Sequence, residues 1–501
     1  MSKSLLRSAF IVTGLGVLTR ILSFLFRIYL SRKIGAESLG VYQIALSVFF
    51  LFSTLTAGLP LTISRKTAEM QALGRFKGEK SFTTATIIVG FSVSCAVVVG
   101  FLLLSNHLSF LFSDVRCMPL FLILLPSCIS TALYGIIRGW FWGKKRYEVF
   151  ALTEFFECVV RIILGVVLIS GVVDGINGAT GTAISFTISD YVCTALIIVL
   201  FFVYGGRIGK PSGFKKLTRT AIPLTAVRLY NSLVNSVIAI LVPALLISTG
   251  IESNDAMADY GRIMGMALPL IMSPAMLTGA LNTVLVPEIA TLKAKGDLDN
   301  LTKKIKSSLT IAVTCALLFF VIFVPLGEKI GYLFYEDKIA GTYVSYSAII
   351  MVGVVLNGVT STVMDSIGLE MSTMKNFIIG SVFMIASLLI FSRFVGAYCI
   401  IIAYGTSYLI TTLLNLKAIK KKLNVSYKNL ASTLIIEHII AIVGILGTIF
   451  IKNLTDDLPL VASIVIPAIF GVAFFMIAVL AFNILDLSGF IQKRKKSAKP
   501  T

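Results

Sequence analysis

The chain has 501 residues, of which 57% are hydrophobic and 14% are charged, and its formal net charge is +20. About a quarter of the residues of a soluble protein are charged, so this composition and a mean hydropathy of +0.94 exclude an ordinary soluble domain and predict a polytopic membrane protein. The basic residues concentrate in short connections between apolar segments, a pattern that indicates membrane topology and anionic lipid, not nucleic acid.

The apolar segments predict an all-α fold, because a membrane crossing needs about 20 apolar residues and only helices or closed barrels can cross. About 14 transmembrane helices are predicted, near residues 10–31, 40–62, 82–105, 117–138, 149–171, 177–204, 219–248, 260–287, 307–326, 342–367, 376–394, 396–416, 430–451 and 458–485. The first span is predicted to be a retained helix, because a signal peptide has a shorter apolar region without internal arginines.

Lysines and arginines alternate between the two sides of these spans. The connections and tail on one side are rich in them, at residues 65–80, 144–146, 207–219, 293–306, 417–428 and 493–499. On the other side, the connection from Ile251 to Asp259 has acids and no base. The positive-inside rule therefore predicts that both termini lie in the cytoplasm and that the chain crosses the membrane an even number of times.

A weak internal repeat accompanies the spans. Residues 39–74 resemble residues 259–296, since each segment has a glycine near its start, an apolar helix with a proline, and a basic stretch that ends in glycine. The lag of about 220 residues predicts an N-terminal six-helix lobe (1–205), a C-terminal six-helix lobe (206–422), two additional helices (423–485) and a basic tail (486–501). Such doubling is common in transporters, whose substrate site lies between the halves.

The first span carries two arginines, Arg20 and Arg27. A spacing of seven residues is about two helical turns, so both side chains project from one face. A charge at membrane depth costs about 2.5–3.5 kcal/mol even on the mildest scale, and arginine cannot lose its proton. We expect this face to line a polar cavity that receives an anionic group. The alternative is ion pairing with distant acids such as Asp190 or Asp365.

A polar stripe runs along the seventh span, where Arg228, Asn231, Ser232, Asn235 and Ser236 have the spacing of one helical face. Polar residues in membrane helices often only hold neighbouring helices together. The stripe therefore predicts either a cavity lining, in which Arg228, Asn231 and Asn235 contact the substrate, or a helix contact.

Three further arginines lie in or beside spans. Arg161 follows Glu154 and Glu157 on one face of the fifth span, which predicts an ion pair or, alternatively, a cation or proton relay. Arg138 lies at the end of the fourth span, where its side chain can extend to the lipid headgroups or line the site. Arg262 begins the eighth span and is either an interface anchor or a substrate contact.

Acidic residues inside the spans are candidates for coupling to protons or sodium: Asp190, Asp365, Glu154 and Glu157. Glu437, beside His438, is a further acid within a span and has no assigned role. The first span has no acid, whereas a pump for organic cations would need carboxylates in its central cavity.

The sequence does not indicate an enzyme. It has no Walker A, HExxH or GxSxG motif, and its loops are too short for a sizeable soluble domain. The scattered cysteines lack metal-ligand spacing, so we predict no metal and no cofactor. The planar fork of arginine suits phosphate oxygens, and a diphosphate-linked lipid would present them at the headgroup.

The chain resembles the multidrug/oligosaccharidyl-lipid/polysaccharide (MOP) exporter superfamily, and within it the branch of stage V sporulation protein B and the polysaccharide biosynthesis proteins. The stretches that carry the resemblance are LLRSAFIVTGLGVLTRILSFLFRIYLSRKIGAESLGVYQ at the start, GLPLTISRKTAE at 58–69, ALYGIIRGWFWGKKR at 132–146 and YGRIMGMALPL at 260–270.

The resemblance implies an alternating-access flippase for undecaprenyl-diphosphate-linked sugars or a peptidoglycan precursor, similar to lipid II flippases. It implies that Arg20, Arg27 and Arg262 line the cavity and that the last two helices form a groove for the lipid tail. Lipid II flippases have a basic residue in the second span that this chain lacks between Gly40 and Gly58. The predicted partners are the lipid-linked anionic substrate, membrane lipids and enzymes of cell-wall or polysaccharide synthesis, with the protein a monomer. Alternatives are a cation-coupled multidrug and toxin extrusion antiporter and a membrane enzyme acting on polyprenyl phosphate.

Overall fold

The computed structural model describes residues 3–108, 112–170, 177–424 and 427–484. These residues form helices and turns, and no strand occurs among them, so the predicted all-α fold is confirmed. The chain divides into two compact units, residues 1–261 and 262–501, which we call the first and second units. The predicted basic tail at 486–501 lies outside the described residues.

The first unit contains nine α-helices among its described residues: α1 (Lys3–Ser53), α2 (Leu59–Ala72), α3 (Phe76–Leu108), α4 (Cys117–Leu124), α5 (Ser127–Gly143), α6 (Tyr147–Ile169), α7 (Gly178–Val203), α8 (Phe214–Ser248) and α9 (Ser253–Tyr260). Helix α1 packs against α6, α8 and α9, and α5 packs against α2, α3 and α7. The part of α1 after Gly35 contacts α8 and α9 through Ser47 and Gly40, whereas the part that carries Arg20 and Arg27 contacts α6.

Helix α1 is kinked at Gly35, which has φ 77° and ψ 169°. Residues with a Cβ rarely adopt this conformation, whereas glycine does so at little cost. The kink falls between the predicted spans 10–31 and 40–62. The 51-residue helix is therefore two consecutive helices, as their separate apolar runs predict.

Two glycines from the related repeat segments pack against each other. A Cβ on Gly40 of α1 would lie 2.0 Å from the carbonyl oxygen of Met257, and one on Gly261 would lie 2.0 Å from that of Ala36. The backbones of α1 and α9 therefore cross in direct contact, which only residues without a side chain permit.

A π-helix (Gly261–Ala267) begins at the last residue of the first unit and continues into the second. The second unit then contains α10 (Leu268–Ile271), α11 (Ser273–Ala294), α12 (Leu298–Tyr335), α13 (Lys338–Ser347), α14 (Ile350–Ser366), α15 (Glu370–Val395), α16 (Cys399–Leu423), α17 (Lys428–Leu454) and α18 (Ala462–Ala481). Helices α12, α17 and α18 pack together around Val321, Ala441 and Phe475.

Within the described residues, nine helices are long and apolar enough to cross a membrane, or up to eleven if two bent pairs each make one crossing. Two of these stretches, Ile11–Ala72 and Glu370–Leu423, have 62 and 54 residues. One crossing takes about 20 residues, so each exceeds a single span. The multi-pass character is clear, and the count of fourteen stays a prediction.

Helix α8, the seventh predicted span, packs within the first unit. Its Thr225 hydroxyl accepts a hydrogen bond from Gly58 N at 3.1 Å, and its Ser236 hydroxyl donates to Ser47 O at 2.8 Å. The compact units therefore divide after residue 261, whereas the repeat predicts a lobe boundary after residue 205. The predicted lobe boundaries stay a prediction.

Candidate functional site

The face of α1 beside the two arginines packs against α6. Ser23 Oγ lies 3.4 Å from Cys158 Sγ, which also lies 3.8 Å from the carbonyl oxygen of Thr19. The Phe26 ring occupies the space that a Cβ at Gly165 would fill, at 2.4 Å. Arg20 and Arg27 each follow a contact residue by one position, so they lie at the edge of this seam.

Both arginines act electrostatically on groups at this seam. Arg20 is exposed and is one of the charges acting on Glu154 of α6. Arg27 is half-buried and, together with Arg161, acts on the buried Tyr42. Arg20 therefore lies near a carboxylate of α6, whereas Arg27 and Arg161 of α6 both lie near Tyr42 of α1.

Arg161 is ion-paired with Glu157, one turn before it on α6. Its Nε also donates to Ser189 Oγ at 3.2 Å, and its guanidinium lies 4.5 Å from the centre of the Phe186 ring. This is the first of the two arrangements predicted for Arg161. The carboxylate of Glu157 is therefore engaged within its own helix.

Arg138 of α5 lies between two aromatic rings. Its guanidinium carbon is 4.6 Å from the centre of the Trp142 ring and 4.8 Å from that of Phe150. Its buried Nε has no hydrogen-bond partner among the described residues, and Arg138 is the strongest charge acting on Glu154. Cation–π contacts therefore hold this arginine beside the same carboxylate that Arg20 reaches.

These residues form what we call the charged cluster of the first unit: Arg20, Arg27, Arg138, Glu154, Glu157 and Arg161. It contains four arginines and two glutamates, so its formal charge is positive. Arg20 and Glu154 are exposed, whereas the remaining members are half-buried. A partly exposed and net positive group of side chains on apolar helices can bind an anion through charge-assisted hydrogen bonds.

Asp190 of α7 is buried next to the cluster, and Glu157 and Arg161 both act on it electrostatically. Its Oδ2 accepts hydrogen bonds from Ser130 Oγ and, at 3.1 Å, from Thr131 Oγ1, both on α5. Two hydroxyl groups therefore hold one oxygen of this carboxylate, which belongs to one of the predicted coupling residues.

The polar stripe of α8 divides between the two predicted roles. Ser236 is buried and donates to α1, which makes it a helix contact. Arg228, Asn231 and Asn235 are exposed, and Asn231 Nδ2 donates to Val227 O at 3.3 Å. Their exposure leaves these three side chains accessible to a ligand.

The second unit holds the two other predicted residues. Arg262 Nε donates to Asp337 Oδ2 at 2.8 Å, and Asp337 also caps α13 by accepting from Ala340 N at 2.9 Å. Asp365 of α14 is exposed and accepts from Thr373 Oγ1 of α15 at 2.9 Å. Arg262 thus has the partner expected of a structural anchor, and its role as a substrate contact stays a prediction.

Sequence reasoning missed a polar network around Arg116. Its guanidinium donates to Asp114 Oδ2 at 2.7 Å, to Glu37 Oε1 at 2.5 Å and to Asn254 Oδ1 at 3.1 Å, while Ser253 Oγ donates to Asp114 Oδ2 at 3.3 Å. Burial raises the pKa of Asp114, but its hydrogen bonds and charge contact with Arg116 outweigh burial and hold that pKa below the usual range. The Asp-x-Arg spacing is a local sequence signal for the contact between Asp114 and Arg116. No local pattern indicates the contacts of Arg116 with Glu37 and Asn254, which are distant in sequence.

Among the described residues, no group of three or more His, Cys, Asp or Glu side chains could hold a metal ion. Of the sites predicted from the sequence, the charged cluster contains the most arginines.

Comparisons with known proteins identify the family and the fold. The profile of the family described as "Polysaccharide biosynthesis protein" matches residues 5–293. "Stage V sporulation protein B" of Bacillus subtilis (strain 168) is 25% identical over 443 residues, covering 85% of each chain.

Two solved structures share the fold. "Lipid II flippase MurJ, inward closed conformation" matches with a TM-score of 0.75 and 17% identity over 96% of this chain and 99% of that one. An inward-facing multidrug resistance MATE family transporter of the MOP superfamily matches with a TM-score of 0.69 and 15% identity over 83% and 98%. The resemblance seen in the sequence is confirmed: the chain belongs to the polysaccharide biosynthesis protein family and has the fold of the MOP superfamily.

Proposed function

We propose that the chain is a flippase that moves an undecaprenyl-diphosphate-linked oligosaccharide or peptidoglycan precursor across the bacterial cytoplasmic membrane by alternating access. The observation that carries this proposal is the net positive charged cluster, in which Arg20 and Arg138 lie near Glu154 and Arg161 is paired with Glu157 on helices of a membrane-spanning unit. In this proposal Arg20 and Arg27 bind the diphosphate, and Arg228, Arg262, Asn231 and Asn235 are further candidate contacts of the substrate.

The chemistry of the headgroup fits these side chains. A guanidinium donates two parallel hydrogen bonds to phosphate oxygens and stays charged at any relevant pH. With the termini in the cytoplasm, the membrane potential would assist export, because moving each negative charge outward gains about 2.3 kcal/mol per 100 mV.

The relatives support the same class of substrate. The similar solved structure is described as a lipid II flippase, and the family is described by polysaccharide biosynthesis. We infer from these descriptions that the cargo is a glycan carried on a membrane lipid. The partners expected for this function are the enzymes that assemble such lipids. The proposed transport cycle needs one copy of the chain, so the protein would act as a monomer.

A cation-coupled antiporter is the second candidate, and one observation favours it. Asp190 is buried and held by two hydroxyl groups next to the Glu157–Arg161 pair, a setting in which a carboxylate could exchange a proton or sodium ion during transport. A multidrug transporter also shares the fold. The prevalence of arginine in the charged cluster argues against an organic cation as the cargo.

Transport by reconstituted protein tests the proposal. The protein is placed in proteoliposomes with a fluorescent undecaprenyl-diphosphate-linked oligosaccharide, and exposure of its sugar on the far side is measured by a membrane-impermeant lectin or quencher. We expect the double variant R20A/R27A to lose transport. The control K33A removes an exposed cation farther along the same helix and should transport normally.

Unchanged transport by R20A/R27A would disprove the substrate site. Efflux of organic cations driven by a sodium or proton gradient, abolished by D190N and unaffected by R20A/R27A, would favour the antiporter. A chemically altered lipid recovered after incubation would favour an enzyme.

A further inference from the structure

Glu437 lies in the middle of α17 and has no exposed surface. The residues one turn after it, Ile440 and Ala441, belong to an apolar cluster with Val313 and Leu317 of α12. A carboxyl group is therefore enclosed in the seam that α17 forms with α12. A buried ionisable group in such a seam is costly and is usually present for a function.

The hydrogen bonds of Glu437 indicate its protonation state. Its Oε1 lies 2.9 Å from Thr314 Oγ1, and Thr314 Oγ1 lies 3.0 Å from the carbonyl oxygen of Thr310. A hydroxyl has one proton, so Thr314 cannot donate to both oxygens. A carboxylic acid resolves this conflict, because Glu437 then donates to Thr314 while Thr314 donates to Thr310.

The second carboxyl oxygen of Glu437 also indicates the protonated form. Oε2 of Glu437 is buried and has no hydrogen-bond partner among the described residues. In the ionised form it would be an anionic oxygen without a donor, which is far more costly than the carbonyl oxygen of a neutral acid. Both oxygens therefore favour the neutral form.

The described residues of the packed helices offer no counter-charge to an ionised Glu437. The titratable neighbour on α12 is Cys315, a neutral thiol beside Thr314, and the neighbour on α17 is His438, whose Nδ1 lies 2.7 Å from Leu434 O. Helix α18, which packs against both α17 and α12, has no titratable side chain, and the residues of α14 that pack against this cluster, Val352 and Leu356, are apolar. The charged residues of α12 closest in sequence to Thr314 are Lys306 and Glu328, more than two helical turns away in either direction.

We propose that Glu437 is a proton-binding site of the second unit, occupied while α17 packs against α12 and emptied when water enters that seam. An exposed glutamate has a pKa of about 4.3, so a wetted Glu437 releases its proton at neutral pH. The population of any conformation that opens the seam therefore depends on pH, and it increases as the pH rises.

A metal ion fits the Glu437 site less well than a proton does. Hard cations bind about six or more oxygen atoms, whereas the atoms here are one carboxyl group, one hydroxyl and a helical carbonyl. A proton needs one donor and one acceptor. The proposal is independent of the cargo, so it stands or fails separately from the flippase function.

Infrared spectroscopy of the purified full-length protein in lipid nanodiscs tests the proposal. At neutral pH, subtracting the spectrum of E437Q from that of wild type should show one protonated carboxyl C=O band. The amide introduced by E437Q can donate to Thr314 in the same geometry, so the fold should persist. The matched control E157Q should show the loss of an ionised carboxylate band, since Glu157 is ion-paired with Arg161.

A second variant covers the case in which E437Q does not fold. T314V removes the hydroxyl that accepts the hydrogen bond from protonated Glu437 but leaves the carboxyl group itself. Because that hydrogen bond is lost, the C=O band of protonated Glu437 should shift to higher frequency. Exchange of Na⁺ for a bulky organic cation should leave the band unchanged. The proposal is overturned if E437Q or T314V alters only ionised carboxylate bands, or if the protonated band appears only when Na⁺ is removed.

Discussion

Arg116 Nη1 lies 2.5 Å from Glu37 Oε1, although 79 residues separate them in sequence. Glu37 is two residues past the kink of α1, and the same guanidinium binds Asp114 in its own loop and Asn254 at the start of α9. One arginine therefore ties together the kinked helix, the segment before α4 and the end of the first unit.

Replacing Arg116 by glutamine should loosen this network. The Asp114 side chain is only 5% exposed and would lose its charged donor, so we expect a loss of about 1–3 kcal/mol in stability. The apparent Tm of the detergent-purified protein measures it. R75Q, which removes an exposed arginine elsewhere in the first unit, should leave Tm unchanged. Equal Tm values for R116Q and wild type would contradict the importance of the network.

Acidification should weaken the same network. Arg116 holds the pKa of Asp114 below its usual value of about 3.9, so the stabilisation is complete above that pH and is lost as pH falls through the lower pKa. Thermal unfolding of wild type and D114N, compared between about pH 6 and about pH 3, should show the two converging at the acid end. Parallel curves over this range would exclude Asp114 as the titrating group.

A leucine at Gly40 should separate α1 from α9. Its Cβ would lie 2.0 Å from a backbone oxygen of α9, which cannot move aside as a side chain can. Overpacking against side chains costs about 1–3 kcal/mol, and we expect at least the upper value here. The control is G16L on the same helix, where a Cβ would meet nothing within 4 Å. A G40L protein with the Tm of G16L would show that the contact does not matter.

Lysine at both arginine positions tests the mode of phosphate binding. R20K/R27K keeps the charge but loses the planar fork, so we expect transport weaker than wild type yet above that of R20A/R27A. The readout is the concentration of lipid-linked sugar that gives half-maximal transport. If the lysine and alanine variants transport equally poorly, charge alone is not sufficient; if lysine equals arginine, bidentate binding is not used.

A double-mutant cycle measures the ion pair on α6. E157Q leaves the half-buried Arg161 without its carboxylate, and R161Q leaves Glu157 without its guanidinium. Each single variant should therefore lose more than half of the stability that the double variant loses. Thermal unfolding of the four proteins provides the coupling. Strict additivity would mean that Ser189 and the Phe186 ring suffice to hold Arg161.

Local patterns predicted the parts of this structure that depend on sequence neighbours. The i,i+4 spacing of Glu157 and Arg161 predicted an ion pair, and the apolar runs on either side of Gly35 predicted two helices. The contacts of Arg116 and Arg138 were not predictable in this way, because Glu37 and Phe150 are brought near by the packing of separate helices. The same holds for α8, whose Ser236 finds its acceptor on α1.

The kink at Gly35 has a consequence for the whole first helix. An uninterrupted rod of 51 residues would be about 77 Å long, more than twice the hydrocarbon thickness of a bilayer. Because Gly35 has no Cβ, the backbone can leave the helical path there, and the residues after it form a separate segment about 27 Å long, close to the thickness of the hydrocarbon core. The glycine therefore lets the arginine-bearing segment and the segment after it take different directions, which one rigid rod could not do.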